Sequence, residues 1–157
     1  MLPDVTRILY ASDLQKGARP AFRRAVSLCG RYESAITFLH VAEPVGDYAE
    51  KLVKSFLDSD DSLKALHEEG LENLRQSLRD RVTRFCADEL EADNLLEDGT
   101  LEVRVEEGNP WKTILEVADD IDASVIVVGA RHQSSLLGHT SHKVVHNSRR
   151  PVLVVPI

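Results

Sequence analysis

The residues best equipped for chemistry lie together between Gly129 and Lys143, in the stretch GARHQSSLLGHTSHK. Arg131, His132 and Lys143 offer cationic or donor groups, and Ser134, Ser135, Thr140 and Ser141 offer hydroxyls. Gly129 and Gly138 let backbone come close to a ligand, with turn geometry alone as the alternative reason for both. Donors gathered at the start of a helix suit an anion, phosphate above all, because that end of the helix is the positive end of its dipole. The serines would serve equally as helix caps. Asp13, which follows the first apolar run, reads either as a ligand contact or as the cap of the first helix.

The histidines form a second constellation. His139, His142 and His146 stand at i, i+3 and i+7, so on a helix they share one face, and His132 precedes them. Such spacing can bind zinc. No cysteine lies nearby and any carboxylate ligand would have to come from another segment. They therefore read as solvated or dimer-edge histidines, with pH sensing as a secondary reading and no metal site expected. His40, inside an apolar run, reads as a satisfied core histidine. Catalysis finds little support: the chain has no G-x-S-x-G elbow, no GxxxxGK[ST] loop and no Cys–His pair of evident geometry. Nothing in the sequence supplies an identifiable second catalytic group to act with Asp13, and an enzyme is not expected.

Composition bounds the rest. At 157 residues, 43% hydrophobic and 29% charged, the chain suits one globular domain, residues 1–157. Its net charge of −7 argues against a general nucleic-acid binder. No apolar run reaches the ~20 residues of a membrane span. The first residues, MLPDVTRILYASD, lack the pattern of a signal peptide, so a cytoplasmic location is expected. Cys29 and Cys86 both fall on apolar helix faces and read as buried thiols rather than a disulfide.

These side chains need a scaffold, and the pattern supplies one. Apolar runs at Val5 to Ala11, Ala35 to Val41, Val125 to Val128 and Val152 to Val155 read as strands, the last two buried on both faces of a parallel sheet. Leu101 to Val105 alternates and reads as a further strand. A first helix opens at Gly17, carries Ala18, Phe22, Ala25, Val26 and Cys29 on one face, and stops at or a few residues beyond Gly30. Residues 47–62 form an acidic connector whose DSDD run lacks the Gly and Glu of a calcium loop. A long helix follows from Leu63 to Leu90. Asn109 and Pro110 match an N-cap and first helical position, opening a helix that buries Trp111, Ile114, Leu115, Ala118 and Ile121. Asp119, Asp120 and Asp122 mark solvent at its end, and Arg149-Arg150 complements the dipole of the last helix, which buries Val144 and Val145. Strand and helix alternate throughout, which predicts a five-stranded, doubly wound parallel sheet with helices on both faces.

With its landmarks in this order, the sequence resembles the universal stress protein family over essentially its whole length. The matching stretches are RILYASD, FLHVAEP, VEEGNPWKTILEVA, VIVVGA and LLGHTSHKVVHNSRRPVLVVP. The resemblance implies a flavodoxin-like α/β sandwich, homodimers paired through the last strand, and binding of ATP or AMP in a stress-response or regulatory role. It implies base and ribose contacts at Ala11, Asp13 and Val41. Phosphate contacts fall in the loop and helix start holding Gly129, Arg131, His132, Gly138, His139 and Thr140.

That loop also departs from the family. His132 stands where nucleotide-binding members have a second glycine, and His139 replaces a small hydroxyl residue. The segment between Gly129 and Gly138 is shorter than the family's by four residues, as much as ~13 Å of extended chain. Two readings therefore stand: an adenine-nucleotide-binding module, and a dimeric protein-interaction module of the same family without nucleotide. Slow nucleotide hydrolysis is a distant third. In each, the strand Val152 to Val155 pairs with a twin strand from a second copy, because a bare apolar edge strand is a liability.

Overall fold

The computed structural model describes residues 1–14, 17–44, 60–90, 95–130 and 138–157, with 60–63 and 138–139 described by backbone alone. The chain divides into two compact units, Met1–Ala42 with Asn94–Ile157, and Glu43–Asp93. The first unit holds strands β1 (Arg7–Ser12), β2 (Ala35–Ala42), β3 (Leu101–Glu107), β4 (Val125–Ala130) and β5 (Val152–Pro156). Its helices are α1 (Arg19–Tyr32), α3 (Pro110–Asp120) and α4 (Gly138–Asn147). The second unit contributes α2 (Asp60–Leu90), three residues longer at its start than expected, on which Leu78, Val82 and Cys86 are buried. Most of the expected acidic connector lies outside the described residues.

All five strands are parallel, in the order β3-β2-β1-β4-β5. Side chains alternate across the sheet, and both of its faces are apolar. On one face Leu9, Leu39, Ile126 and Val128 pack with Ile114, Val117 and Ala118 of α3, with Ile121 just past its end, and with Val144 of α4. On the other, Tyr10 and Phe38 close on Phe22 of α1, with ring centroids 5.1–5.2 Å apart. Burial of each such side chain is worth about 1.5–3 kcal/mol. Double coverage is why β1 and β4 read as unbroken apolar runs. The same expectation fails for β5. As an edge strand it has one neighbour, and its residues are half-buried or exposed, Val154 among the latter.

Helix ends depart from the sequence reading in instructive ways. α1 opens at Arg19 behind Ala18, with Pro20 in its first turn as expected. As allowed for in the sequence reading, it runs a few residues beyond Gly30, to Tyr32, and Glu33 then takes a left-handed φ of 54°. The amides of Glu33 and Ser34 both return to the Cys29 carbonyl. Asn109 occupies the N-cap of α3, yet its side chain makes no capping hydrogen bond, and Pro110 alone shapes the entry. The carboxylates at the end of α3 do more than face water. Arg150 Nε lies 3.2 Å from Asp119 and Nη1 3.0 Å from Asp122, and Nη1 donates to the Ala123 carbonyl at 2.7 Å. Arg104 reaches Asp120 at 3.1 Å. Arg150 therefore serves the C-terminal end of α3 rather than the dipole of its own helix.

Both cysteines are free thiols; Cys86 is buried as expected, whereas Cys29 is only half-buried. The Cys29 thiol donates to the Ser34 carbonyl, and burial pushes its pKa up. A thiol that keeps its proton more tightly when folded favours folding below its unfolded pKa of about 8.5. That contribution is lost as pH rises through the folded value. Between pH 8 and pH 10 the wild-type protein is expected to lose more stability than Cys29→Ala. Urea titrations across that range check this, and equal slopes for the two proteins would contradict it.

Candidate functional site

Helices that follow adjacent strands β1 and β4 leave to opposite faces of the sheet, α1 toward Tyr10 and α4 toward Leu9. A parallel sheet opens a crevice at such a switch point, outside the carboxyl ends of its strands. Ala11 is in register with Leu39 on β2 and Val128 on β4, so it marks the floor of that crevice. Val41 lies on the same face, and both are half-buried against the cluster around Leu9 and Val128. Asp13 follows the end of β1, and Gly129 follows Val128 on β4. The chain returns to the amino edge at Pro151, whose carbonyl accepts from Ile126. The 10-residue α4 therefore starts at the carboxyl edge, spanning about 15 Å. Its first turn presents Gly138 and a half-buried Thr140, with Ser141 buried behind them.

The structure thus brings Ala11, Asp13, Val41, Gly129, Gly138 and Thr140 to one edge. Arg131 and His132, along with Ser134 and Ser135, lie outside the described residues, as does the side chain of His139.

Two readings of single residues change. Asp13 is not the cap of α1, which begins at Arg19 with no side-chain cap. It sits in a connection shaped by Leu14, whose φ is 61° and whose amide donates to Ser12 Oγ at 3.1 Å. Tyr10 fastens that connection by donating its hydroxyl to the Ala18 carbonyl at 3.2 Å. Gly129 is a strand residue, so turn geometry does not explain it. A Cβ there would stand 2.8 Å from Ile157 Cδ1 and 3.6 Å from the Ala21 Cβ. Ile157 is held in place by its own amide, which donates to the Ala130 carbonyl at 2.9 Å.

Sequence reasoning placed His40 in the core. It is indeed satisfied, with Nδ1 2.9 Å from the Ser12 carbonyl, but it is only half-buried and stands at the carboxyl edge beside Ser12. The signal was its position, just ahead of the strand-ending Ala42-Glu43-Pro44. Trp111 lies half-buried against the same cluster as Ala11 and Val41. Lys143 Nζ, expected to face a ligand, instead stands 5.8 Å from the Trp111 ring centroid, and Lys112 Nζ stands 5.5 Å from it. Val145 is 49% exposed although it was grouped with Val144, which is fully buried. Among the described residues no three metal-ligating side chains gather, and no helix is long and apolar enough to cross a membrane.

The profile of the Universal stress protein family matches residues 5–156. The chain belongs to that family. Solved universal stress proteins share the fold. The universal stress protein UspA from Lactobacillus plantarum is 23% identical, with 98% of this chain and 99% of that one covered at a TM-score of 0.66. A universal stress protein in complex with cAMP is 19% identical, with 96% of each chain covered and a TM-score of 0.60. The universal stress protein from Archaeoglobus fulgidus in complex with dAMP is also 19% identical, covering 96% of this chain and 97% of that one at a TM-score of 0.54. No curated protein matches the sequence significantly. This universal stress protein carries His132 between Gly129 and Gly138, and His139 directly after Gly138.

Proposed function

We propose that this universal stress protein is a cytoplasmic, homodimeric regulatory module of the stress response that binds an adenine nucleotide, ATP or AMP. The family match runs through both compact units, which supports treating the chain as one functional domain. The observation that carries the reading is the shared edge. Ala11 and Val41 offer an apolar face to a base, and Asp13 offers an acceptor for sugar or base donors. The N-terminus of α4, with Gly138, His139 and Thr140, offers positive dipole and donors to a phosphate. Gly129 is next to last in β4, and Arg131 and His132 are proposed from the sequence as further phosphate contacts. The relatives described with cAMP and dAMP support adenine as the base.

Ligand at a hundred times its dissociation constant stabilises the folded state by about 2.7 kcal/mol, a rise in melting temperature of roughly 5–10 °C for a chain of this size. Asp13→Ala is expected to weaken binding at least about tenfold, about 1.4 kcal/mol. If saturating ATP or AMP neither raises the melting temperature nor releases heat on titration, the reading is wrong. We assign binding rather than catalysis, and steady ADP release over hours would overturn that assignment.

A specific observation favours a second reading, a dimeric interaction module without nucleotide. The Ile157 side chain occupies the space beside Gly129, and the loop is short. Saturable ATP uptake abolished by Asp13→Ala would sink it. Both readings need a dimer, and the half-exposed β5 edge, with Val154 outward, supports pairing with a second copy. A monomeric mass in sedimentation at micromolar concentration would contradict that pairing.

A further inference from the structure

We propose that His142 and His146 form a two-histidine chelate for a transition-metal dication of the Zn2+, Ni2+ and Cu2+ class. The two residues are four apart on α4, so their Cβ atoms lie one turn apart on the same face. Both side chains are exposed, and their rings face each other with centroids 6.2 Å apart and planes within 12° of parallel. Two metal–nitrogen bonds of about 2.0–2.1 Å each span most of such a gap. Chelation then needs each ring to turn an edge inward, a rotation about χ2 that is broad for histidine and unopposed at an exposed site.

Two of the neighbouring cations are engaged elsewhere. Lys143, the cation adjacent in sequence, has its ammonium drawn toward the Trp111 ring. The Arg150 guanidinium is held by Asp119, Asp122 and the Ala123 carbonyl. Asn147 spends its amide on the Lys143 carbonyl at 2.8 Å. Among the described residues neither imidazole makes a hydrogen bond, so no internal partner has to be displaced. The helix itself is pinned from its inner side by the fully buried Val144 and the buried Ser141, which fixes the spacing before any metal arrives.

The chemistry of the donor set defines the ligand. Imidazole nitrogens select zinc, copper and nickel over magnesium and calcium, with copper held most tightly in the usual order of affinities. No third side chain joins the pair among the described residues, so water fills the remaining positions and the ion exchanges readily. Binding also requires helical spacing. It therefore stabilises the folded over the unfolded chain by mass action and stiffens the helix whose first residue borders the candidate crevice.

The test titrates the full chain with ZnCl2 and, separately, CuCl2 at pH 7.5 in a non-coordinating buffer, read by calorimetry and thermal melting. One saturable equivalent is expected, with a rise in melting temperature that EDTA reverses. His142→Ala and His146→Ala are each expected to weaken binding at least about tenfold and to remove the thermal rise. The double variant should be no worse than either single one, because a chelate is lost whole. His67→Ala should change nothing. Both substituted positions are exposed, so the metal-free variants should melt with the wild type, which separates lost binding from lost fold. Affinity undiminished in His146→Ala, or a loss shared equally by His67→Ala, would overturn the proposal. None of these outcomes depends on nucleotide binding.

Discussion

Phe38→Ala is expected to cost about 3–5 kcal/mol, the range for deleting a buried phenyl ring, and to lower the melting temperature by roughly 6–20 °C. Phe38 is 7% exposed and meets two other rings at once, Tyr10 at 72° and Phe22 at 82°, both edge-on with centroids 5.1 Å away. Edge-to-face pairs add about 0.5–1.5 kcal/mol beyond the area they bury. Alanine removes the ring from both pairs and leaves a void under α1 on a strand, β2, that backbone pairing holds on both sides, so the strand cannot easily move in to refill it. Phe38→Leu keeps most of the volume and should cost distinctly less. Denaturant unfolding of the two variants checks this. A loss below about 1 kcal/mol for the alanine variant would mean that the space closes on itself.

The triad also frames the candidate site. Tyr10 stands three residues before Asp13 and ties the following connection through its hydroxyl to Ala18, while Phe38 stands two residues before His40. Loosening the rings should therefore blunt the proposed nucleotide binding as well as stability.

What the sequence made legible was whatever depends on neighbours along the chain. The run Val125 to Val128 announced a strand covered on both faces, and Asn109-Pro110 announced where α3 begins, because both patterns are local. Legibility stopped where distant partners decide. The apolar run of β5 looks like that of β4, and only the strand order leaves it at an edge. Val144 and Val145 are adjacent and chemically alike, and only the phase of α4 against the sheet sends one inward. Arg150 looked like a dipole complement for its own helix because its carboxylates lie 28 and 31 positions away. Gly129 was recognisable as a residue that needs room, but the atom that uses the room belongs to Ile157. For the site, the resemblance supplied the positions. The structure showed that six of them share an edge.

The second large effect concerns a glycine that carries no expected ligand role. Gly108 joins β3 to α3 at a φ of 155°, and its amide donates to the Ala42 carbonyl at 3.0 Å, fastening the ends of β2 and β3 together. An alanine Cβ at this position would stand 2.6 Å from Thr113 Oγ1. Thr113 is itself buried in the first turn of α3, so its side chain has little freedom to swing aside. Two costs therefore act together, a backbone conformation that residues with a Cβ rarely adopt and a contact that must open. Strain of the first kind is worth about 1–3 kcal/mol, and the pair should bring Gly108→Ala to about 2–3 kcal/mol in all. The two parts separate in a double variant. Adding Thr113→Ala removes the opposing oxygen, so Gly108→Ala in that background should cost less than in the wild type, the remainder being the backbone's share. An identical cost in both backgrounds would show that the contact contributes nothing. A cost below about 0.5 kcal/mol would show that the connection relaxes into another conformation.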